Sequence, residues 1–122
     1  MKAVICDLDG TIAWMDHRSP YDRTKVDTDK CDVRLAELLF KLMGAGVTII
    51  FTSGREGTDE CRQKTSEWLH KYVGFTENED WILIMRKKGD YRGDEIVKKE
   101  LYEEFIKDKY DVICAFDDRN KV

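Results

Sequence analysis

The 122-residue sequence predicts an α/β fold, a three-layer sandwich built on a parallel sheet. Three observations predict it. Four short apolar runs rich in β-branched residues recur along the chain, segments of helical spacing lie between them, and polar residues gather just after three of the four runs. The runs are KAVICDL (2–8), VTIIFT (47–52), WILIM (81–85) and DVICAF (111–116). Their hydrophobicity is continuous rather than alternating, as expected of strands covered on both faces.

The intervening segments follow in order. Residues 32–43 put Val33, Leu35, Leu38, Leu39, Leu42 and Met43 on one helical stripe, which Gly44 and Gly46 end. Thr58 or Asp59 can cap a second helix that carries Cys61, Trp68, Leu69 and Tyr72 and stops at Gly74. A third helix is expected from Gly93 to Lys107, with Ile96, Val97, Leu101, Phe105 and Ile106 inward. Strands and helices alternating in this way join through right-handed crossovers. One connection is longer than the rest: residues 10–29, rich in charged and aromatic side chains, separate the first strand from the first helix. Ordinary connections of this kind run about 2–6 residues, and longer ones tend to be functional. This one is expected to form a flap-like loop within a single domain spanning residues 1–122.

Composition excludes several classes. The chain carries 21 basic and 25 acidic residues, so a net charge of −4 offers no whole-surface attraction for nucleic acid or an anionic membrane. Any anionic ligand must be held by a local cluster. The four cysteines (Cys6, Cys31, Cys61 and Cys114) are widely spaced, with no C-x-x-C pair, which argues against structural zinc and against a disulfide framework. Cys6 and Cys114 sit inside apolar runs, where a thiol behaves as a small hydrophobe. A reducing, cytosolic setting is expected. The short apolar run before Asp7 gives no signal peptide, and no stretch approaches the roughly 18 apolar residues of a membrane span.

In open parallel sheets the ligand lies beyond the carboxyl ends of the strands. Here the first run delivers Asp7-Leu8-Asp9, the second Thr52-Ser53-Gly54-Arg55, and the fourth Asp117-Asp118-Arg119. Four carboxylates converging near one point repel one another, and a divalent cation is the cheapest remedy. Hard oxygen ligands favour Mg²⁺ over zinc. Ser53 and the backbone N–H groups after it, Gly54 included, can donate to a phosphate oxygen, and the planar fork of Arg55 suits the same group. In GDYRGDEIVKKE, Asp94 and Lys98 lie four apart and share a helix face, either as a surface ion pair or with the lysine turned toward the carboxylates.

The stretch DLDGT after an apolar strand resembles the D-x-D-G-T signature of the haloacid-dehalogenase (HAD) superfamily, and Ser53, Lys98 and Asp117-Asp118 fall in that superfamily's order. Within it, DLDGTIAWMDHRSPYD, SGRE, GDYRGDEIVKKE and AFDDR are most similar to the 3′-phosphatase domains of phage polynucleotide kinase-phosphatases. The resemblance spans nearly the whole chain and implies a Rossmann-like, essentially capless sandwich. It implies Asp7 as nucleophile and Asp9 as general acid and base, with Thr11, Arg18, Ser53, Gly54 and Arg55 on the phosphate. Lys98, positioned with Asp94, would offset charge, and Asp7, the Asp9 carbonyl, Asp117 and Asp118 would hold Mg²⁺. Two departures stand out. No G-x-x-x-x-G-K-[ST] loop is present, so kinase activity is not implied. The resemblance also implies a further helix and edge strand beyond Asn120-Lys121-Val122.

Neither insertion point holds enough residues for a lid, so an open site is expected, suited to a terminal phosphate on a large substrate such as a DNA or RNA 3′-end. Arg18, Arg23, Lys25, Arg86, Lys87, Lys88 and Arg92 could follow a nucleic-acid backbone, with Trp14, Tyr21 or Tyr91 stacking on a base. A separate kinase or ligase partner would complete such an end-healing activity. One alternative keeps the chemistry and takes a nucleotide or sugar phosphate. Another, a receiver-type phospho-signalling domain, needs its acceptor after the third strand, where WILIM instead leads into Arg86-Lys87-Lys88.

Overall fold

The structure, a computed structural model, describes residues 1–14 and 28–117. Strand β1 (Lys2–Asp7) leads into β2 (Ala13–Trp14), which pairs antiparallel with β3 (Lys30–Cys31). Then follow α1 (Val33–Gly44), β4 (Thr48–Glu56), α2 (Asp59–Val73), β5 (Trp81–Arg86), α3 (Asp94–Leu101) and β6 (Asp111–Phe116). The main sheet has the order β5-β4-β1-β6, and every neighbouring pair is parallel.

Continuous apolar strands are explained by the two cores. Successive side chains leave a strand on opposite faces. Val4, Cys6, Ile49, Phe51, Leu83 and Met85 face Ala36, Leu39 and Met43 of α1 and Cys61, Trp68 and Leu69 of α2. Ala3, Ile50 and Ile84 face the other way, against Val97 and Leu101 of α3 and the following Ile106. The three layers are therefore α1 and α2, the sheet, and α3.

Each helix begins and ends for a local reason. Asp32 caps α1 by accepting from Leu35 N at 3.1 Å, and Thr58 caps α2 by accepting from Cys61 N at 3.3 Å. Gly74, at φ +70°, closes α2 in a conformation costly for other residues.

Several expectations are corrected. In α1, Val33 and Leu38 are exposed and Ala36 takes an inward place, so the buried stripe is narrower than the run of apolar residues. The expected third helix is interrupted by a π-helical turn at Tyr102–Ile106. Leu101 and Ile106 both face the core, and their five-residue spacing gives Ile106 the place a continuous α-helix would give Phe105. Phe105 and Ile96 are exposed instead. Strand β4, the second apolar run, extends through Ser53, Gly54 and Arg55, with a register irregularity between Ser53 and Glu56 in its pairing with β5. Strand β6 is an edge whose faces are only partly covered: Ile113 is 49% exposed and Cys114 is exposed, contrary to the hydrophobe expected there. At the opposite edge, Arg62 donates to the Leu83 carbonyl of β5 at 2.8 Å. Among the described residues no helix is long and apolar enough to cross a membrane.

Candidate active site

A compact turn delivers the two acids. The Leu8 carbonyl accepts from the N–H groups of Thr11, Ile12 and Ala13 at 2.9–3.2 Å, and Gly10 N donates to Ala13 O at 2.9 Å. Gly10 adopts φ +83°, which this turn requires and which glycine adopts without steric cost. Leu8 and Ile12, both fully buried, anchor the turn from below, so Asp7 and Asp9 are left at the carboxyl end of the sheet. Strands β2 and β3 then tie the base of the long connection together.

Asp7 is 3% exposed. Its Oδ1 accepts from Lys98 Nζ at 2.5 Å, and the same ammonium lies 3.8 Å from Asp117 Oδ2. Three elements (β1, α3 and the end of β6) thus bring two carboxylates and one cation to a point. Behind them, Cys6 Sγ donates to the Asp7 carbonyl at 3.3 Å. Burial first, then the Asp7 and Asp117 carboxylates, push the Cys6 thiol far above its ordinary range, so it stays neutral.

Asp9 is gripped by Arg55. Arg55 Nε donates to Asp9 Oδ1 and Oδ2 at 3.1 and 3.3 Å, and Nη2 donates to Asp9 Oδ1 at 2.7 Å. The same Nη2 donates to Asp29 Oδ2 at 2.6 Å, and Nη1 donates to Thr65 Oγ1 at 3.1 Å. With Arg55 only 1% exposed and each guanidinium nitrogen engaged, this fork orients a carboxylate, where a phosphate had been expected. Asp29 and Thr65 were missed from the sequence. An acid in a loop and a threonine in a helix carry no pattern. The one available signal was Arg55 itself, a guanidinium in an apolar strand that needs buried counter-groups. The Asp29 carbonyl is in turn fixed by Trp68 Nε1 at 2.9 Å.

The remaining expected residues fall as follows. Ser53 is fully buried, and its Oγ accepts from Arg55 N at 3.0 Å, leaving its O–H to donate. Thr11 Oγ1 is buried and, among the described residues, has no hydrogen-bond partner. Asp94 receives the Arg86 guanidinium, so Lys98 reaches Asp7 rather than serving only as the i+4 partner of Asp94. A Cβ on Gly54 would lie 2.7 and 2.9 Å from the two Asp94 carboxylate oxygens, so glycine at 54 is what lets that side chain approach. Arg18 and Asp118 lie outside the described residues, as do Tyr21, Arg23 and Lys25. Among the described residues no group of three His, Cys, Asp or Glu side chains converges as a metal site. Asp7 and Asp117 place carboxylate oxygens at 2.5 and 3.8 Å from the Lys98 ammonium.

The basic residues expected to follow a nucleic-acid backbone are largely engaged. Arg86 turns inward to Asp94, Arg92 pairs with Asp90 at 2.9 Å and Glu100 at 2.5 Å, and Lys87 lies 3.6 Å from Glu104. Tyr91 and Trp14 are exposed, at 83% and 50%. A cleft of about 570 Å³ adjoins Lys98 and Asp117, floored by Ile5 and Ala115 and walled by Tyr102 and Phe116.

The family model for the polynucleotide kinase PNKP phosphatase domain, of the HAD type, matches residues 1–122. The chain belongs to that family. A relative from Autographa californica nuclear polyhedrosis virus, named "Putative bifunctional polynucleotide kinase/RNA ligase", is 36% identical over 121 residues, 97% of this chain. Two solved structures of Pnkp1/Rnl/Hen1 complexes, one named as an RNA repair complex, hold chains 41% and 42% identical to the present chain. Each superposes with a TM-score of 0.85 over 98% of this chain. This PNKP-type chain spans 17% of the viral relative and 39% and 36% of the two solved chains.

Proposed function

We propose that the chain is a phosphomonoesterase that removes 3′-phosphate from polynucleotide ends through a phosphoaspartate at Asp7. The observation that carries the reading is the convergence of Lys98 on Asp7 and Asp117, at 2.5 and 3.8 Å, beside an Asp9 whose orientation Arg55 sets. A structural ion pair would not need a second acid two residues along, held by its own buried arginine.

A carboxylate oxygen of Asp7 attacks phosphorus in line, the bond from phosphorus to the sugar oxygen breaks, and that oxygen takes the proton of Asp9. Asp9 then accepts a proton from water, whose oxygen attacks the phosphoaspartate to release orthophosphate and restore Asp7. Lys98 offsets charge on the transferring group. The Ser53 and Thr11 hydroxyls and the Gly54 N–H are the donors for its oxygens, and Arg18 supplies the guanidinium that Arg55 does not. Asp7, Asp117, Asp118 and the Asp9 carbonyl would hold Mg²⁺, a cation that takes oxygen donors of this kind. When bound, Mg²⁺ supplies positive charge against the phosphoryl oxygens.

A second reading, a free nucleotide or sugar phosphate as substrate, is favoured by one observation: the basic residues 86–92 are mostly neutralised by their own neighbours. In either case a reducing cytosol is the proposed setting, with a kinase or ligase as partner. The test is phosphate release with Mg²⁺ from a 3′-phosphorylated oligonucleotide, its 5′-phosphorylated isomer and a free 3′-nucleotide. Preference for the 3′-phosphorylated oligomer is expected. Equal turnover of the free nucleotide transfers the enzyme to the second reading, and Asp7→Asn is expected to lose turnover while still melting cooperatively.

A further inference from the structure

Arg86, the last residue of β5, keeps its side chain only 11% exposed although it lies at a loop entrance. Its Nη1 donates to the carbonyls of Asp90 at 3.1 Å and Arg92 at 2.6 Å, and its Nη2 donates to the Asp94 carboxylate. Three acceptors from a five-residue stretch thus converge on one planar fork. The loop from 87 to 93 is folded around this guanidinium and delivers directly into α3.

At that start the Arg86–Asp94 pair takes the place of a side-chain cap. Gly93 precedes the helix and makes no side-chain cap, so Asp94, the first helical residue, ties the first turn down through Arg86. The same carboxylate packs against Gly54, which links the turn to the strand carrying Ser53 and Arg55. One helical turn on from Asp94 comes Lys98, on the same face. Its long side chain reaches Asp7 Oδ1 at 2.5 Å.

We propose that Arg86 is a positioning residue that sets the reach of Lys98 to Asp7, by fixing the loop and the first turn of α3 against the Ser53-Gly54-Arg55 strand. The consequence for catalysis rests on the reading of Asp7 as phosphoryl acceptor. An ordinary surface ion pair would use one acceptor and stay exposed. Lysine could replace the charge but not the fork, because an ammonium is a compact point charge without the rigid planar spread of donors.

The test compares the whole chain with Arg86→Lys and Arg86→Ala. Acetic anhydride acylation of Lys98 is followed by peptide mass spectrometry without metal or substrate, relative to Lys41, whose side chain is 72% exposed. Both variants are expected to raise the Lys98-to-Lys41 acylation ratio while melting cooperatively. Turnover of the 3′-phosphorylated oligonucleotide is expected to fall by about 10²-fold in kcat with KM unchanged, as a misplacement near 1 Å can produce. Dilute guanidinium chloride should restore part of kcat to Arg86→Ala. Wild-type acylation and kcat in Arg86→Lys would overturn the assignment, and that variant decides if Arg86→Ala does not fold. Absence of phosphate release from the wild type would remove the proposed function, whereas an unchanged acylation ratio would remove the positioning role on its own.

Discussion

Arg55 sits between two carboxylates, and Asp29, the deeper of them, is only 1% exposed on its side chain. Taking such groups out of water costs several kcal/mol each, and attraction repays this only when the geometry is close and the hydrogen bonds are made. Arg55→Met should therefore lower stability by about 3–5 kcal/mol, as breaking a buried pair does, read from urea midpoints. Asp29→Asn should be milder in stability and still reduce turnover, because one of the two jaws that hold the fork on Asp9 is weakened. At the surface the same chemistry is titratable. Hydrogen bonds from the Arg92 side chain and then its backbone hold the Asp90 carboxyl down, to about 2 from an ordinary 3.8. A depressed carboxylate contributes above its unfolded value and loses that contribution as pH falls toward 2. Arg92→Ala should return the Asp90 titration toward 3.8, as followed by carboxyl NMR. From sequence, the arrival of Asp7 and Asp9 at the carboxyl end of a strand was legible from motif spacing, whereas for Lys98 a surface pair with Asp94 and a turn toward the carboxylates stayed open until the structure placed it on Asp7. Arg55 was legible as a polar residue at the end of a strand but its partners were not, since they lie 46, 26 and 10 residues away along the chain.

The strands were readable as elements because each carries apolar side chains on both faces, a pattern that local composition preserves. Helix faces were less so. Where a π-helical turn follows α3, the inward position moves from Phe105 to Ile106, and no periodicity of 3.6 residues can announce that shift. Strands β2 and β3, at two residues each, are too short to leave any pattern. Two substitutions separate scaffold from site at this scale. Asp32→Ala removes the α1 cap and should cost about 1 kcal/mol with turnover retained, measured by thermal melting beside the phosphate assay. Gly54→Ala should do the reverse: its Cβ would press within 3 Å of the Asp94 carboxylate, so kcat falls while the melting curve moves little.

Across the molecule, acids outnumber bases and the basic loop beside the site is mostly neutralised from within. Electrostatic attraction for a nucleic-acid strand is therefore local. The KM for a 3′-phosphorylated oligonucleotide should rise with salt while that for a free 3′-nucleotide stays flat. Lys88→Ala should flatten the oligonucleotide series by about 0.7 in logarithmic slope if that side chain meets one phosphate. Strand β6 has a different consequence, one met at the bench. Among the described residues β6 pairs only with β1, and Ile113 and Cys114 are exposed on it, whereas Arg62 donates to a carbonyl of β5 at the far rim. Rims of the first kind template growth of one sheet onto another. Concentrated stocks of this chain should cloud on storage and form Cys114-linked pairs in air, with loss on heating that depends on scan rate and does not reverse on cooling.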